Sequence, residues 1–517
     1  MSPGELLGER VEGIYPLSPA QHGILFDCLY RRDPDHYVAQ RSFVFDDLDP
    51  VVFTLAWRRL FDHHAILRTG FIWEGLERPV QVVLRRVEPP LVEHDLRSLP
   101  EEAQRREVTR RLRADRMAGF DFTQAPLLRL SLYRLGERTF QFACTFHHLI
   151  QDGWSQTLLV EQLVRLYAAL ARGTPHDLGP RRPFSAYLEW LSRQDAATAE
   201  SFWRRMLAGF GAATPLGEDG SGELPAGGER QWFEQRQLDA IGTSLRALAR
   251  RHGLTPNTLM QGAWALLLGV ESGRRDVIFG VTVAGRPADL PGIEATAGPF
   301  ITVLPLRVHL PAAAPLLAWL RELQNRQAEL RQYEYSSLVQ VQGWSEVPRS
   351  QPLFASLFTF QNRPAALGPA PAEKAPGTVA PAGPRLSGTD SQAGAIGFPL
   401  SLEVDLESSL TLSLFADSRR FSAERASSWL RRYEELLELL VARLEADVDA
   451  RTELADLERL GDAEHRRVVF ELNRTGVDFG ASGCLHKLCE EQAARTPDAV
   501  AVLAGGEWLS FRQLDRR

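Results

Sequence analysis

Cysteine is scarce in this chain. Cys28, Cys144, Cys484 and Cys489 are all that 517 residues contain, too few and too scattered for a disulfide framework, so a reducing compartment is expected. No run of 18 apolar residues occurs, and the polar, acidic-leaning stretch from Met1 to Gly13 has no apolar signal core. A soluble, unexported, cytoplasmic protein with no membrane partner is the expectation. Positive charge is not in excess: 59 Lys and Arg stand against 66 Asp and Glu, a net charge of -7, which leaves no footprint for nucleic acid. No sequence repeat of fixed period is visible. Ser155 lacks the Gly-x-Ser-x-Gly elbow of hydrolases, which argues against a serine esterase. Metal ligands are thin as well. His147, His148 and Asp152 have no further Cys or His cluster beside them, and Cys484, His486 and Cys489 offer only two thiols, so no metal and no cofactor held by the chain itself is expected.

What is present is an ordinary globular composition, 44% hydrophobic and 24% charged. Single cores stop growing at roughly 250 to 300 residues, so two or three packed units are expected. The centre of the chain is the run Phe146-His147-His148-Leu149-Ile150-Gln151-Asp152-Gly153-Trp154. Before it, Thr139 to Phe146 alternates Phe140, Phe142, Cys144 and Phe146 with Gln141, Ala143 and Thr145, the pattern of a half-buried strand. Leu127 to Leu135, joined to it by Gly136-Glu137-Arg138, completes a hairpin. After it, Ser155 to Ala171 carries paired apolar positions and a Glu161/Arg165 spacing that predict a helix. A general base must be held within hydrogen-bonding reach of its proton, and a strand end buttressed by a helix provides that mount. Neighbouring strand residues point to opposite faces, so one histidine meets a given cavity and the other is structural.

Elsewhere the pattern predicts a helix from Val51 to a second pair, His63-His64, with Arg68 beyond. That pair reads as cations near a helix C-terminus, where they are favoured. Gly173 to Pro183 breaks the pattern, Phe184 to Leu207 resumes as helix, and Gly209 to Gly228 is loop. Helices Pro256 to Val270 and Ala313 to Tyr333 alternate with strands Val277 to Val283, Phe300 to Val308 and Leu353 to Phe360. From Asn362 to Gly397 Pro, Ala and Gly dominate, a composition for a linker, lid or crossing segment. Strands Leu400 to Leu406 and Leu410 to Phe415 and a helix Ala423 to Ala446 follow. The halves look like two similar α/β lobes.

The string His-His-x-x-x-Asp-Gly at a strand end resembles the condensation domains of nonribosomal peptide synthetases. Four further stretches, in matching order, carry the resemblance: Tyr15 to Gln21, His64 to Phe71, Tyr187 to Trp190, and Gly298 to Arg307. It spans Gly13 to Leu460. The resemblance implies an α/β (α+β) fold of two chloramphenicol acetyltransferase-like lobes in a V shape with a channel between them. The implied order is a linker (1–12), an N-lobe (13–182), a C-lobe (183–460) with a floor loop (286–300) and a latch within 381–399, and a second linker (461–480). Residues 481–517 resemble the opening of an adenylation domain, cut off before its nucleotide-binding loops.

The implied activity is amide formation between a donor acyl or peptidyl thioester and the amine of an acceptor aminoacyl thioester. The arms are 4'-phosphopantetheine delivered by donor and acceptor carrier proteins, or acyl-CoA for the donor, and an adenylation domain adjoins; as a fragment the chain is expected to be monomeric. Carried over residue by residue, His148 is the active-site histidine with His147 beside it, and Asp152 pairs with an arginine of the other lobe, for which Arg286 is the candidate. Gly153 is expected at a sharp turn and close substrate approach, Trp154 and Ser155 along the channel. The spellings Ser18-Pro19-Ala20-Gln21-His22-Gly23, Gln194-Asp195-Ala196 and Gln361-Asn362 look more like the subtype that accepts a D-configured donor. About a dozen residues precede Tyr15, too few for a carrier domain; if Met1 is the natural start, a donor from another chain or from acyl-CoA, as in starter domains, is the alternative, and if it is not, a carrier domain lies upstream. An inactive condensation-like recruitment module is the other.

Overall fold

Leu128–Arg134 (β6) and Phe140–His147 (β7) pair antiparallel across the expected turn, Leu128 opposite Phe146 and Arg134 opposite Phe140. The computed structural model describes residues 10–31, 33–180, 182–220, 222, 231–361, 385–392, 398–406, 409–446, 451–457, 466–471, 473–476 and 485–516. Two compact units divide the chain, residues 1–458 and 459–517.

In the first unit β7 is the centre of a five-stranded sheet. Val38–Asp46 (β2) lies antiparallel on its other side with Val38 opposite His147, and Leu91–Asp95 (β5) runs parallel to β6. One face is aromatic. Phe45 and Phe142 meet Phe53 and Trp57 of the helix Pro50–His63 (α2), and Phe43 stacks on Phe142, with ring centroids 5.1–6.4 Å apart. Each such ring, fully buried, contributes about 1.5–3 kcal/mol. The helix Gly153–Ala171 (α4) packs on α2 through Leu159, Leu163 and Tyr167. The helix Pro19–Arg31 (α1) precedes β2, and Glu101–Met117 (α3) covers the opposite sheet face with Val108 and Leu112. Val11–Pro16 (β1), Thr69–Ile72 (β3) and Val80–Leu84 (β4) form a small separate sheet in the order β1-β4-β3.

A second, six-stranded sheet has the order β10-β9-β11-β13-β14-β8. Its strands are Gln231–Gln237 (β8), Asp276–Val283 (β9), Thr302–His309 (β10), Ser356–Gln361 (β11), Leu400–Asp405 (β13) and Thr411–Asp417 (β14). The helix Pro256–Ser272 (α8), begun by the Thr255 cap and Pro256, lies buried against it. Asp239–His252 (α7), Leu316–Arg331 (α9) and Ala423–Ala446 (α11) pack on α8, Leu338–Trp344 (α10) packs on α6 (Ala196–Leu207) and the strand Thr302–His309, and Trp264, Phe279, Phe358, Trp429 and Tyr433 fill the core. Neither sheet closes on itself. The fold is mixed α/β.

Three expectations change. The helix expected from Phe184 to Leu207 is two, Ser185–Ser192 (α5) and Ala196–Leu207 (α6), because the Asp195 side chain accepts the Ala197 N–H at 2.9 Å and caps a new start. The cores also divide differently from a cut at 182/183. Phe184, Tyr187, Leu188, Ile293, Ala297 and Phe300 belong to the first core and α6 to the second, so the Pro/Gly-rich passage is a loop after which the chain still packs on the first half. Finally, Arg385–Gln392 (β12), expected within a linker-like passage, pairs antiparallel with β2 and becomes the edge of the first sheet. It lies inside the interval expected to cross between halves; residues 362–384 and 393–397 lie outside the described residues.

Residues 459–517 include a helix Leu485–Arg495, a hairpin of Val500–Ala504 with Glu507–Ser510, and a short helix Phe511–Asp515 begun by a Ser510/Gln513 capping box. Among the described residues no helix is long and apolar enough to cross a membrane.

Candidate active site

The two adjacent histidines part at the end of β7. His147 turns into the core, 1% exposed, beside Phe122 at 4.8 Å between ring centroids. The Leu149 N–H donates to its Nδ1 at 3.1 Å, and its Nε2–H donates to the His36 carbonyl at 3.1 Å. Both nitrogens are therefore used, and burial, with a lesser push from His148, lowers its pKa to about 3. At pH 7 the imidazole is neutral, and both of its nitrogens are bonded within the protein. His147, grouped with the catalytic candidates, faces the core and does not line the cavity.

His148 faces the other way. Its ring is half-buried and opens on a cavity of about 1740 Å³. A carbonyl only accepts, so Nδ1–H is the donor to the Gln151 oxygen at 3.1 Å, which leaves the Nε2 lone pair available. Phe146 and Tyr37 meet the ring edge-on at 5.7 and 6.5 Å. Burial lowers the pKa, against the opposing pull of the Gln151 carbonyl and Asp152, so the imidazole is neutral at pH 7.

Asp152 caps α4 and ties the halves together. Its Oδ1 accepts from the Ser155 N–H at 2.7 Å, and its Oδ2 accepts from the Phe300 and Ile301 N–H groups at 3.1 and 3.2 Å. Arg286 donates to both oxygens, Nη1 to Oδ2 at 2.9 Å and Nη2 to Oδ1 at 3.3 Å, with its side chain 4% exposed. Burial alone pushes the carboxyl up, but the charge and hydrogen bonds of Arg286 outweigh it and hold the pKa below the usual range. The guanidinium lies 4.3 Å from the Phe300 ring centroid and 5.2 Å from that of Trp154. Gly285 aims it. With φ +62 and the Phe300 oxygen 1.9 Å from where a Cβ would stand, no other residue fits.

Gly153 and Ser155 correct the expectations made for them. Gly153 has no positive φ, and a Cβ there meets nothing within 4 Å, so no turn requires glycine; the open space is the cavity that it lines. Ser155, expected along the channel, is fully buried. Its hydroxyl donates to the Gly298 carbonyl at 2.7 Å and accepts from the Gly298 N–H at 2.9 Å and Arg286 Nη2 at 3.1 Å. The helix turns it toward the 286–300 loop, where it completes the Asp152 network. Trp154 lines the cavity and donates from Nε1 to the Glu294 carbonyl at 2.9 Å.

The cavity wall comes from both halves: Tyr37, His148 and Trp154 from the first, Val281, Thr302 and Phe360 from the second. A metal on His147, His148 and Asp152 does not fit, because His147 points away and Asp152 is saturated by donors. The second pair differs from its expectation. His64 is buried and bonded to Gln162 at 2.6 Å, and burial lowers its pKa to about 4, so it is no cation at the helix end. Arg68 fills that role, donating to the Phe61 carbonyl at 2.8 Å.

The sequence matches the family model described as "Condensation domain" over residues 11–459. The chain belongs to the condensation-domain family. As a condensation domain it is 39% identical over 511 residues to one of the polypeptides of the linear gramicidin synthase of Brevibacillus parabrevis, covering 98% of this chain and 6% of that protein. It is 36% identical over 479 residues to chondramide synthase of Chondromyces crocatus, covering 90% and 12%. The chain thus spans a small fraction of these curated relatives. Among solved structures, a four-domain nonribosomal peptide synthetase bound to AMP and glycine matches with a TM-score of 0.75 at 18% identity, over 98% of this chain and 38% of that one. The starter condensation domain of rhizomide synthetase, in complex with C8-CoA and Leu-SNAC, matches with 0.72 at 18%, over 89% and 99%. At this identity the likeness is one of fold, the chloramphenicol acetyltransferase-like condensation fold.

Proposed function

We propose that this domain joins a donor acyl or peptidyl thioester to the amine of an acceptor aminoacyl thioester, both presented on the 4'-phosphopantetheine arms of carrier proteins in the cytoplasm. One observation carries the proposal: a neutral imidazole, His148, offers a free Nε2 to a cavity walled by both halves. At about 1740 Å³ that cavity exceeds the roughly 300–1,000 Å³ that takes one drug-sized ligand, in keeping with two substrates arriving together.

The chemistry follows from the free nitrogen. The acceptor amine attacks the thioester carbonyl, a C–N bond forms, and the C–S bond breaks. His148 Nε2 takes the proton that the amine sheds and returns it to the departing sulfur, so the histidine ends as it began. Holding amine and thioester at contact distance supplies a further share of the rate. Asp152, Arg286 and Ser155 take no part in proton transfer in this proposal; they hold the strand end and the 286–300 loop as one body. Gly153 and Trp154 border the substrate path. An adjoining adenylation domain supplies the acceptor.

For the donor we favour a D-configured residue, on the spellings at 18–23, 194–196 and 361–362. The test loads acceptor and donor carriers, offers D-aminoacyl, L-aminoacyl and fatty-acyl donors, the last also as CoA thioester, and follows the acceptor by intact-protein mass spectrometry. A product from the D-donor alone is expected. Preference for the fatty-acyl donor would make it a starter domain, and no product with any donor would favour a recruitment module. Condensation undiminished in His148→Ala would refute the role of that side chain.

A further inference from the structure

The two carbonyls of one dipeptide hold both histidines. The His36 carbonyl accepts the Nε2–H of His147 at 3.1 Å, and the Tyr37 carbonyl accepts the backbone N–H of His148 at 3.0 Å. To aim successive carbonyls at this pair, the chain bends at Tyr37 into the left-handed region, φ +56. A bulky aromatic residue persists there only where its surroundings hold it. Two contacts do so. His36 Nε2 lies 2.6 Å from Asp27 Oδ2 of α1, with the His36 side chain 2% exposed, and the His36 ring packs on the Tyr37 ring at 4.4 Å between centroids. The Tyr37 ring in turn meets the His148 imidazole edge-on. Asp27, His36, Tyr37 and His148 all line the same cavity.

We propose that Asp27, His36 and Tyr37 are positioning residues that set the orientation of the His148 imidazole. The proposal rests on the reading of His148 as the group that handles the amine proton. Without the Asp27 carboxylate, the His36 ring loses its anchor, Tyr37 relaxes out of the left-handed region, and its carbonyl leaves the His148 N–H. The strand end that presents Nε2 then shifts, and misplacement by about 1 Å lowers a rate by on the order of 10²-fold.

The test compares Asp27→Ala, Asp27→Asn, Tyr37→Gly and His148→Ala in the full chain with loaded carriers, and records the ¹⁵N resonances of the His148 ring without substrate. Asp27→Ala is expected to lower kcat by about 10- to 100-fold with KM nearly unchanged, and to turn the single Nδ1–H tautomer of His148 into a mixture. Asp27→Asn is expected to recover most of the rate, since a carboxamide oxygen still accepts the His36 proton. Tyr37→Gly accepts the φ of +56 without strain, so it is expected to keep the melting temperature while losing rate through the missing ring. Wild-type kcat and an unaltered tautomer in Asp27→Ala, with His148→Ala inactive, would overturn the positioning role. If instead His148→Ala retains full activity, the reading of His148 falls, and the ¹⁵N pattern of Asp27→Ala still decides whether these residues orient the ring.

Discussion

The chain contains two His-His pairs, and the same dipeptide meets opposite fates. At His63-His64 the second ring is buried and spends its Nε2 on Gln162. At His147-His148 the second ring spends only Nδ1, on a carbonyl, and keeps Nε2 for a cavity. Both His64 and His148 are kept neutral by burial. A depressed pKa therefore does not separate the two rings; an unspent nitrogen beside open space does.

The comparison can be broken most forcefully at the rings themselves. His148→Ala is expected to lower condensation by about 10²- to 10⁴-fold, whereas His64→Gln is expected to leave the single-turnover rate within a factor of about two; equal losses in the two variants would erase the distinction. Next in size is the bridge behind His147-His148. Arg286→Ala strands the Asp152 carboxylate in the protein interior and is expected to destabilise the domain by about 3–5 kcal/mol, read by urea unfolding.

Acidification should sharpen the likeness between the pairs. The pKa values of His64 and His147, about 4 and about 3, lie below the unfolded value of about 6.5, so the native state binds fewer protons than the unfolded one. Their contribution is complete above pH 6.5 and is lost as pH falls from 6.5 toward 4 for His64 and toward 3 for His147. For His64 this is roughly 3 kcal/mol, and His64→Gln is expected to flatten the fall in unfolding free energy measured between pH 7 and pH 4.5. The smallest effect belongs to Gly153→Ala. With open space at its Cβ and no positive φ, stability is expected to change by no more than about 0.5 kcal/mol, while an added methyl group on the cavity wall raises KM. A large drop in melting temperature would restore the turn reading.

Much of the mount for His148 is legible in the sequence. The β6–β7 hairpin, the α4 helix and the His-His-x-x-x-Asp-Gly string each carry a local pattern, and local patterns survive in a single chain of letters. What escapes depends on distant partners. The faces of Ser155 are settled by Gly298, 143 residues away. The clamp of Asp27 and His36 joins a helix to a loop. α3 is dominated by Glu and Arg, with only Val108 and Leu112 buried, too faint a stripe to read as a helix that packs. β12 has no alternation of its own; the open edge of β2 makes it a strand, an instance of tertiary context overriding propensity.

That last strand bears on how such domains can be exchanged between assembly lines. β12 is encoded with the second half, yet it completes the sheet that carries His148. A hybrid gene spliced between residues 182 and 385 would ask a foreign edge to zip onto β2, or leave a raw row of N–H and C=O groups inviting aggregation. Transplants that take residues 10–458 whole avoid that seam.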